Sequence, residues 1–154
     1  MKPTYMLDTT VFNHLVRDDV DLSSLPENAT FLVTHIQLNE IQATRNEEKR
    51  QRLLRVFAEV PSKQVPTESA VWGVSEWGEA KWGKEDGLFE AMLASLNNRN
   101  GSKENNGKDV LIAETAIRNG YALVTDDSDL ANVVREFKGK TIHFHELLST
   151  GNAC

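Results

Sequence analysis

Short apolar runs alternate along the chain with stretches of helical periodicity. Runs rich in β-branched and aromatic residues at 4–7, 30–34 and 121–125 predict buried strands. Apolar residues at helical spacing follow each of them, at 11–16 after the first run and at 36–41 after the second. Strands that alternate with helices predict a parallel sheet with helices on both faces. The pattern therefore predicts an α/β fold, a three-layer α/β/α sandwich around a central parallel sheet.

The remaining pattern predicts four more helices and a last strand. The helices are predicted at 46–60, 88–96, 108–117 and 130–137, and the strand at 141–144, before a terminal helical turn. Pro61 ends the first of these helices, and the pair 119–120, Asn-Gly, is a typical helix end. The stretch 97–107, rich in Asn, Gly and Ser, is predicted to be a loop.

A short repeat of Trp-Gly places tryptophans at positions 72, 77 and 82. A five-residue step turns a helix by about 140°, so the three indoles cannot share one face. The pattern favours packing roles for most of them, with a stacking or partner surface as the alternative. The whole chain, 1–154, is expected to form one domain, with a Trp-rich and Asn-rich insertion at about 70–107.

Composition excludes several classes of protein. The chain has 154 residues, with 17 Lys and Arg against 23 Asp and Glu, and a net charge of −6. A chain of this length can build a core without disulfides, and its one cysteine, Cys154, excludes an intramolecular disulfide or a Cys-based zinc site. No apolar run is long enough to cross a bilayer, so we expect a cytoplasmic protein without membrane contact. The acidic balance argues against coating nucleic acid by bulk charge.

Acidic residues recur near the predicted strand ends. Asp8 and Asp126 each follow a buried strand, where α/β sheets bind their ligands, and Glu40 and Asp109 lie in neighbouring predicted helices. Converging carboxylates repel one another unless a cation neutralises them, and oxygen ligands suit Mg²⁺ or Mn²⁺. Such a site favours hydrolysis of phosphate esters. The alternative is that each aspartate merely caps a helix.

The chain resembles the PIN-domain nucleases, and among them the VapC-type toxins of toxin–antitoxin pairs. The resemblance rests on four segments: Met-Leu-Asp-Thr-Thr-Val at 6–11, Thr34 with Glu40, Asp-x-Leu-Ile-Ala-x-Thr-Ala from 109, and Leu-Val-Thr-Asp-Asp-x-Asp-Leu at 123–130. It implies a PIN-like fold and a divalent-metal-dependent ribonuclease. The family often has Asn or Ser two residues after the first acid, where this chain has Thr10.

The resemblance also implies roles for individual residues. The expected catalytic residues are Asp8, Glu40, Asp109, Asp126 and Asp127. The expected metal ligands are Asp8, Glu40, Asp109, Asp126 and Asp129. Three carboxylates thus compete for the last position, and we rank Asp126 first, Asp127 second and Asp129 third by distance from the strand end. Thr10 and Thr125 are expected to support the acids or to contact substrate.

Substrate and partner expectations are less specific. Arg45, Lys49 and Arg52 share one helical face and could hold RNA phosphates, as could Lys108, although the pattern favours ordinary solvated charge on an amphipathic helix. The pair His143 and His145 lacks further soft ligands nearby and favours a structural role.

Two alternatives to the nuclease stay open. One is a catalytically idle PIN-like module that binds RNA or protein. The other is a magnesium-dependent phosphatase of the haloacid dehalogenase type, whose motif has an acid where this chain has Thr10. For a VapC-like toxin the resemblance implies a homodimer and a small antitoxin, for which the apolar stretch 72–88 is a possible docking surface.

Overall fold

The computed structural model describes residues 2–69 and 86–151. In chain order the strands and helices are β1 (Thr4–Leu7), α1 (Thr9–Arg17), β2 (Thr30–Val33), α2 (His35–Gln42), α3 (Glu47–Glu59), β3 (Ser62–Gln64), α4 (Leu88–Asn100), α5 (Asn106–Asn119), β4 (Ala122–Val124), α6 (Ser128–Glu136), β5 (Lys140–Ile142) and α7 (Phe144–Gly151). A short 3₁₀ turn at Leu22–Ser24 follows α1. The Trp-Gly repeat lies outside the described residues, and so do the roles predicted for its tryptophans.

The five strands form one parallel sheet in the order β3-β2-β1-β4-β5. Met6 in β1 pairs with Leu32 on one side and with Leu123 on the other. From β1 the chain builds the sheet outward through β2 and β3, then returns to the other side of β1 with β4 and β5. The direction of winding therefore reverses between β1 and β4, and this is where ligands bind in open α/β sheets.

Helices cover both faces of the sheet. Side chains alternate along a strand, so Tyr5 and Leu7 of β1 face one layer while Met6 faces the other. The first layer packs α1, α3 and α7 against the sheet, and the second packs α4, α5 and α6. This arrangement confirms the three-layer α/β/α sandwich.

Two predicted boundaries are wrong around the Asn-rich stretch. Instead of one loop at 97–107, α4 continues to Asn100 and α5 already begins at Asn106. The buried Asn106 amide donates to the side-chain oxygens of Asn97, at 2.8 Å, and Asn100, at 2.7 Å. Asparagine therefore joins two helices here, a tertiary role that composition does not distinguish from a loop.

Two strands also differ from the prediction. β3 has the sequence Ser-Lys-Gln and pairs only with β2 at the edge of the sheet, so it carries no apolar pattern that would reveal it. The last strand ends at Ile142, and Phe144 instead begins α7, where its ring is fully buried. Within 2–69 and 86–151, no helix has the length and apolar character that crossing a membrane requires.

Candidate active site

The reversal of winding between β1 and β4 places two acidic segments side by side. Asp8 directly follows β1, and its backbone N–H donates to the carbonyl of Val124, the last residue of β4, at 3.0 Å. The chain leaves β4 through Thr125 into Asp126 and Asp127. The carboxyl ends of two central strands thus deliver the first and last acidic segments to one point.

Asp8 is held by donors on both oxygens. Its Oδ1 accepts from the backbone N–H of Thr9 at 2.9 Å, which caps α1. Its Oδ2 accepts from the hydroxyls of Thr10, at 2.9 Å, and Thr125, at 2.8 Å. Burial raises the pKa of Asp8, these hydrogen bonds oppose that rise, and the charge of Asp127 adds to it. Asp8 is therefore a fixed carboxylate that a cation would help to keep ionised.

Glu40, in α2, and Asp109, in the first turn of α5, lie near Asp8, whose charge acts on both. Burial, and then the charge of Asp8, raise the pKa of Glu40 to about 7. Burial, and then the charges of Asp8, Glu40 and Asp127, raise the pKa of Asp109 to about 8. Lys108 opposes both shifts. Four carboxylates are thus close enough to resist one another's ionisation.

The adjacent acids after β4 have different surroundings. The Asp127 charge raises the pKa of Asp8 and of Asp109, so this side chain belongs with the other three acids. Its Oδ1 also accepts from the N–H groups of Asp129, at 3.0 Å, and Leu130, at 3.2 Å, and caps α6. Asp129 itself lies in the first turn of α6 and is not among the main causes of either shift.

Asp126 is engaged by histidines. Its Oδ2 lies 2.5 Å from Nδ1 of the buried His14, and its Oδ1 lies 3.0 Å from Nε2 of His143. The other ring nitrogen of His14, Nε2, lies 2.7 Å from Asp18. The ring of His145 stacks on that of His143 with centroids 5.3 Å apart. These contacts occupy both oxygens of Asp126 in a network beside the four acids.

The oxygen atoms of the four acids suit a hard divalent cation. All four are carboxylates, and the buried Oε1 of Glu40 accepts no hydrogen bond from the described residues, which leaves a lone pair for a ligand. The Thr9 hydroxyl lies near enough to lower the pKa of Glu40 slightly, without the geometry of a hydrogen bond. No three acidic or imidazole groups in the described ranges already converge on a single ion position, so ion binding would require side-chain movement.

Solved structures with the same architecture come from bacteria and archaea. A chain of VapBC2 from Rickettsia felis, bound to a DNA fragment from their promoter, has a TM-score of 0.55 and 20% identity over 91% of this chain and 98% of its own. PAE2754 from Pyrobaculum aerophilum has a TM-score of 0.56 and 18% identity over 100% of both chains. The PilT N-terminus domain protein SSO1118 from Sulfolobus solfataricus has a TM-score of 0.51 and 12% identity over 98% of this chain and 95% of its own.

The chain has the PIN-domain fold. The three structures share the architecture with this chain at identities of 12–20%. No family model and no curated protein sequence matches the chain. The likeness is therefore one of fold, and the chemistry has to be argued from the side chains.

The expected RNA-binding residues occupy separate places in this PIN fold. Lys108 lies beside Glu40 and Asp109, where its charge favours their ionised forms. Lys49 and Arg52 line a cavity between α1 and α3. Arg45 is exposed just before α3 and does not line that cavity.

One supporting residue escaped the sequence analysis. Gln37 is fully buried, and its Nε2 donates to the carbonyl of Leu7 at 2.8 Å. Its Oε1 accepts from the backbone N–H and the hydroxyl of Thr34, at 2.8 and 2.6 Å. The signal was present, because Thr34-x-x-Gln37 is a capping box. Gln37 thereby ties the start of α2 to the residue before Asp8.

Proposed function

We propose that the chain is a divalent-metal-dependent ribonuclease that hydrolyses RNA phosphodiester bonds and acts as the toxin of a toxin–antitoxin pair. The observation that carries the proposal is the grouping of Asp8, Glu40, Asp109 and Asp127 near the reversal of winding, close enough that their charges, together with burial, raise the pKa of the first three. Grouped acids of this kind destabilise a fold, and a bound cation removes that cost. The likeness of the fold to a chain of VapBC2 supports the toxin assignment.

The four acids are the proposed ligands of Mg²⁺ or Mn²⁺. Bound there, such an ion would lower the pKa of a water molecule and neutralise charge on a phosphodiester. Thr10 and Thr125 hold Asp8 in one orientation through its Oδ2. Lys108 places a positive charge beside Glu40 and Asp109 and favours their ionised forms. Asp126, with both oxygens turned to histidines, is assigned to the supporting network.

The test is cleavage of labelled structured and unstructured RNAs with Mg²⁺, Mn²⁺ or EDTA. We expect cleavage with either metal, none with EDTA, and a loss of at least about 100-fold in Asp109→Asn, since removing one group that stabilises developing charge costs that much or more. Asp8→Asn should lose activity as well. In both variants the amide keeps the size of the carboxylate and removes its charge.

Asp19→Asn is the matched control. Asp19 is exposed and has a φ of 47°, a conformation that Asn adopts readily, so the same chemical change is made away from the acids. Activity that is equal in all four proteins would mark a contaminant. No metal-dependent activity, together with no rise in melting temperature on adding metal, would instead favour a PIN-like module that binds RNA or protein without cleaving it.

A cytoplasmic homodimer and a small antitoxin complete the proposal. The antitoxin would cover the acidic site and so hold the nuclease inactive. Purification from the native host tests both expectations, because light scattering gives the mass and a gel shows any small companion. A monomer that carries no small partner protein at any salt concentration would contradict the homodimer and the antitoxin, but not the proposed nuclease activity.

A further inference from the structure

A cavity of about 490 Å³ opens between α1 and α3. From α1 it is lined by Asn13, Val16 and Arg17, and from the start of α3 by Glu48, Lys49 and Arg52, with Asn46 as the cap of that helix. None of the four acids lines this cavity, and the charge of its lining residues is mostly positive. Three cationic side chains face one carboxylate there, whereas the chain as a whole carries −6.

The cationic side chains in this cavity keep donors for a ligand. Arg52 is exposed and gives one N–H to the carbonyl of Val16, at 3.3 Å, which holds its guanidinium over the cavity and leaves further donors. Lys49 is exposed and pairs with none of the described carboxylates. Arg17 pairs at 3.2 Å with Asp18, an exposed contact worth little.

Helix α1 connects this cavity to the acidic site. Asp8 caps its first turn, and Arg17 is its last residue, about 13 Å further along at 1.5 Å per residue. Asn13 lines the cavity and donates from Nδ2 to the carbonyl of Thr9, at 3.3 Å. Asp18, and more weakly Asp126, raise the pKa of Arg17, which places the last turn of α1 near the acidic segment after β4.

We infer that the α1–α3 cavity binds the phosphate backbone of single-stranded RNA as it leaves the acidic site. This rests on the proposed function for the identity of the polymer. An anionic chain held at the four acids needs cationic contacts within a short distance, and the cavity supplies Arg17, Lys49 and Arg52 at the other end of one helix. No aromatic ring lines it, so among the described residues it offers phosphate contacts, which position a strand without reading its sequence.

The test measures binding of a labelled single-stranded RNA by fluorescence anisotropy in EDTA, so that no cleavage occurs, across a series of salt concentrations. The double variant Arg17→Gln with Lys49→Gln removes two cationic contacts. Each contact with a single strand contributes about 0.7 to the slope of log K against log salt, so the slope should fall by about 1.4. Affinity at roughly 0.1 M salt should fall on the order of ten-fold.

The matched control is Lys63→Gln with Lys140→Gln, two exposed lysines on the edge strands β3 and β5. It makes the same change in net charge away from the cavity and should leave the slope within experimental error of wild type. Equal slopes in the two double variants would overturn the inference, as would absence of RNA binding by wild type at low salt. Loss of poly-glutamate binding, with RNA binding unchanged, would overturn it in favour of an acidic protein partner.

The binding assay stands apart from the cleavage assay. If wild type shows no metal-dependent cleavage but binds RNA through the cavity, the proposed nuclease fails and the RNA-binding cavity stands. If wild type cleaves RNA and the cavity variants keep its salt dependence, the nuclease stands and the cavity inference fails.

Discussion

Asp126 and Asp127 are neighbours in the chain with different partners. Histidines occupy both oxygens of Asp126, while the charge of Asp127 acts on Asp8 and Asp109. Distance from the strand end ranked Asp126 first among the three candidates for the last acid. We propose Asp127 for that position, because its charge acts on the other acids. Side-chain direction after a strand depends on the local turn and on partners such as His14, which lies 112 residues earlier in the chain than Asp126.

Substitution of Asp127 and Asp129 separates the two remaining candidates. We expect Asp127→Asn to lose at least about 100-fold in metal-dependent cleavage, because it removes a charge from the acidic site. The amide keeps an oxygen that can cap α6 and removes one charge from the repelling acids, so the melting temperature at neutral pH should not fall. Asp129→Asn should retain most of the activity. Cleavage rates and thermal unfolding of both variants check this, and a larger loss in Asp129→Asn would reverse the assignment.

At the scale of elements, helix ends do much of the positioning. Asp8 and Asp127 each cap a helix while lying among the grouped acids, so a capping role and the proposed functional role are compatible for these residues. Asp109 differs, since it lies inside the first turn of α5 and caps nothing. An acid in the first turn suits the helix dipole, but no capping contact explains why Asp109 is partly buried beside other acids, which makes it the strongest functional candidate.

Helix α5 also carries a separate ion-pair network near its other end. The buried Glu114 accepts from the Ser69 hydroxyl at 2.8 Å and from Nε of Arg118 at 3.0 Å. Arg118 donates two further hydrogen bonds to Asp86, at 2.8 and 2.6 Å. These bonds hold the pKa of Asp86 well below its usual range and raise that of Arg118. Ser69 and Asp86 are thus both hydrogen-bonded to side chains of α5.

The attachment of α2 to β1 can be tested through Gln37. Gln37→Met keeps the length of the side chain but removes its four hydrogen bonds, and leaves the Leu7 carbonyl and the Thr34 N–H without this partner. Unsatisfied buried groups cost about 1–3 kcal/mol each, so we expect the free energy of unfolding to fall by about 3 kcal/mol. Urea denaturation measures it. Gln42→Met, at an exposed site on the same helix, should cost under about 0.5 kcal/mol, and an equal effect in both would contradict this role.

At the scale of the whole molecule, the acidic site opposes folding at neutral pH. The folded chain raises the pKa of Glu40 to about 7 and of Asp109 to about 8, above the values of about 4 that they have when unfolded. Between those values the folded state binds more protons than the unfolded state. Stability therefore falls as pH rises from about 4 to about 8, and the full penalty remains above that range.

The expected result is a melting temperature for metal-free protein that falls by at least about 3 °C between pH 5 and pH 8, where 1 kcal/mol corresponds to about 2–4 °C in a chain of this size. Mg²⁺ should recover most of the loss at pH 8, and little at pH 5, because protons compete with the ion. Asp109→Asn should flatten the pH profile. Calorimetry in EDTA and in Mg²⁺ tests this, and a profile that rises towards pH 8 without metal would contradict it.

The fold was predictable because its signals are local. Short apolar runs, helical patterns, Gly120 as a left-handed helix end and acids after buried strands are all readable within a few residues. They predicted the sandwich and named Asp8, Glu40 and Asp109. The sequence did not predict β3, because an edge strand needs no apolar face. It did not predict the junction of α4 with α5 either, because Asn106 acts through partners on another helix.

The order of strands was decided only in three dimensions. It brings Asp8 beside the segment after β4, more than a hundred residues later in the chain. Tertiary packing also places Asp127 near the other acids and Asp126 beside His14. The packing of α1 against α3 places Arg17, Lys49 and Arg52 around one cavity. Local sequence determines which helices and strands form and which residues can do chemistry. Which of them meet depends on long-range packing, because charge and hydrogen bonding act between groups that only the folded chain brings together.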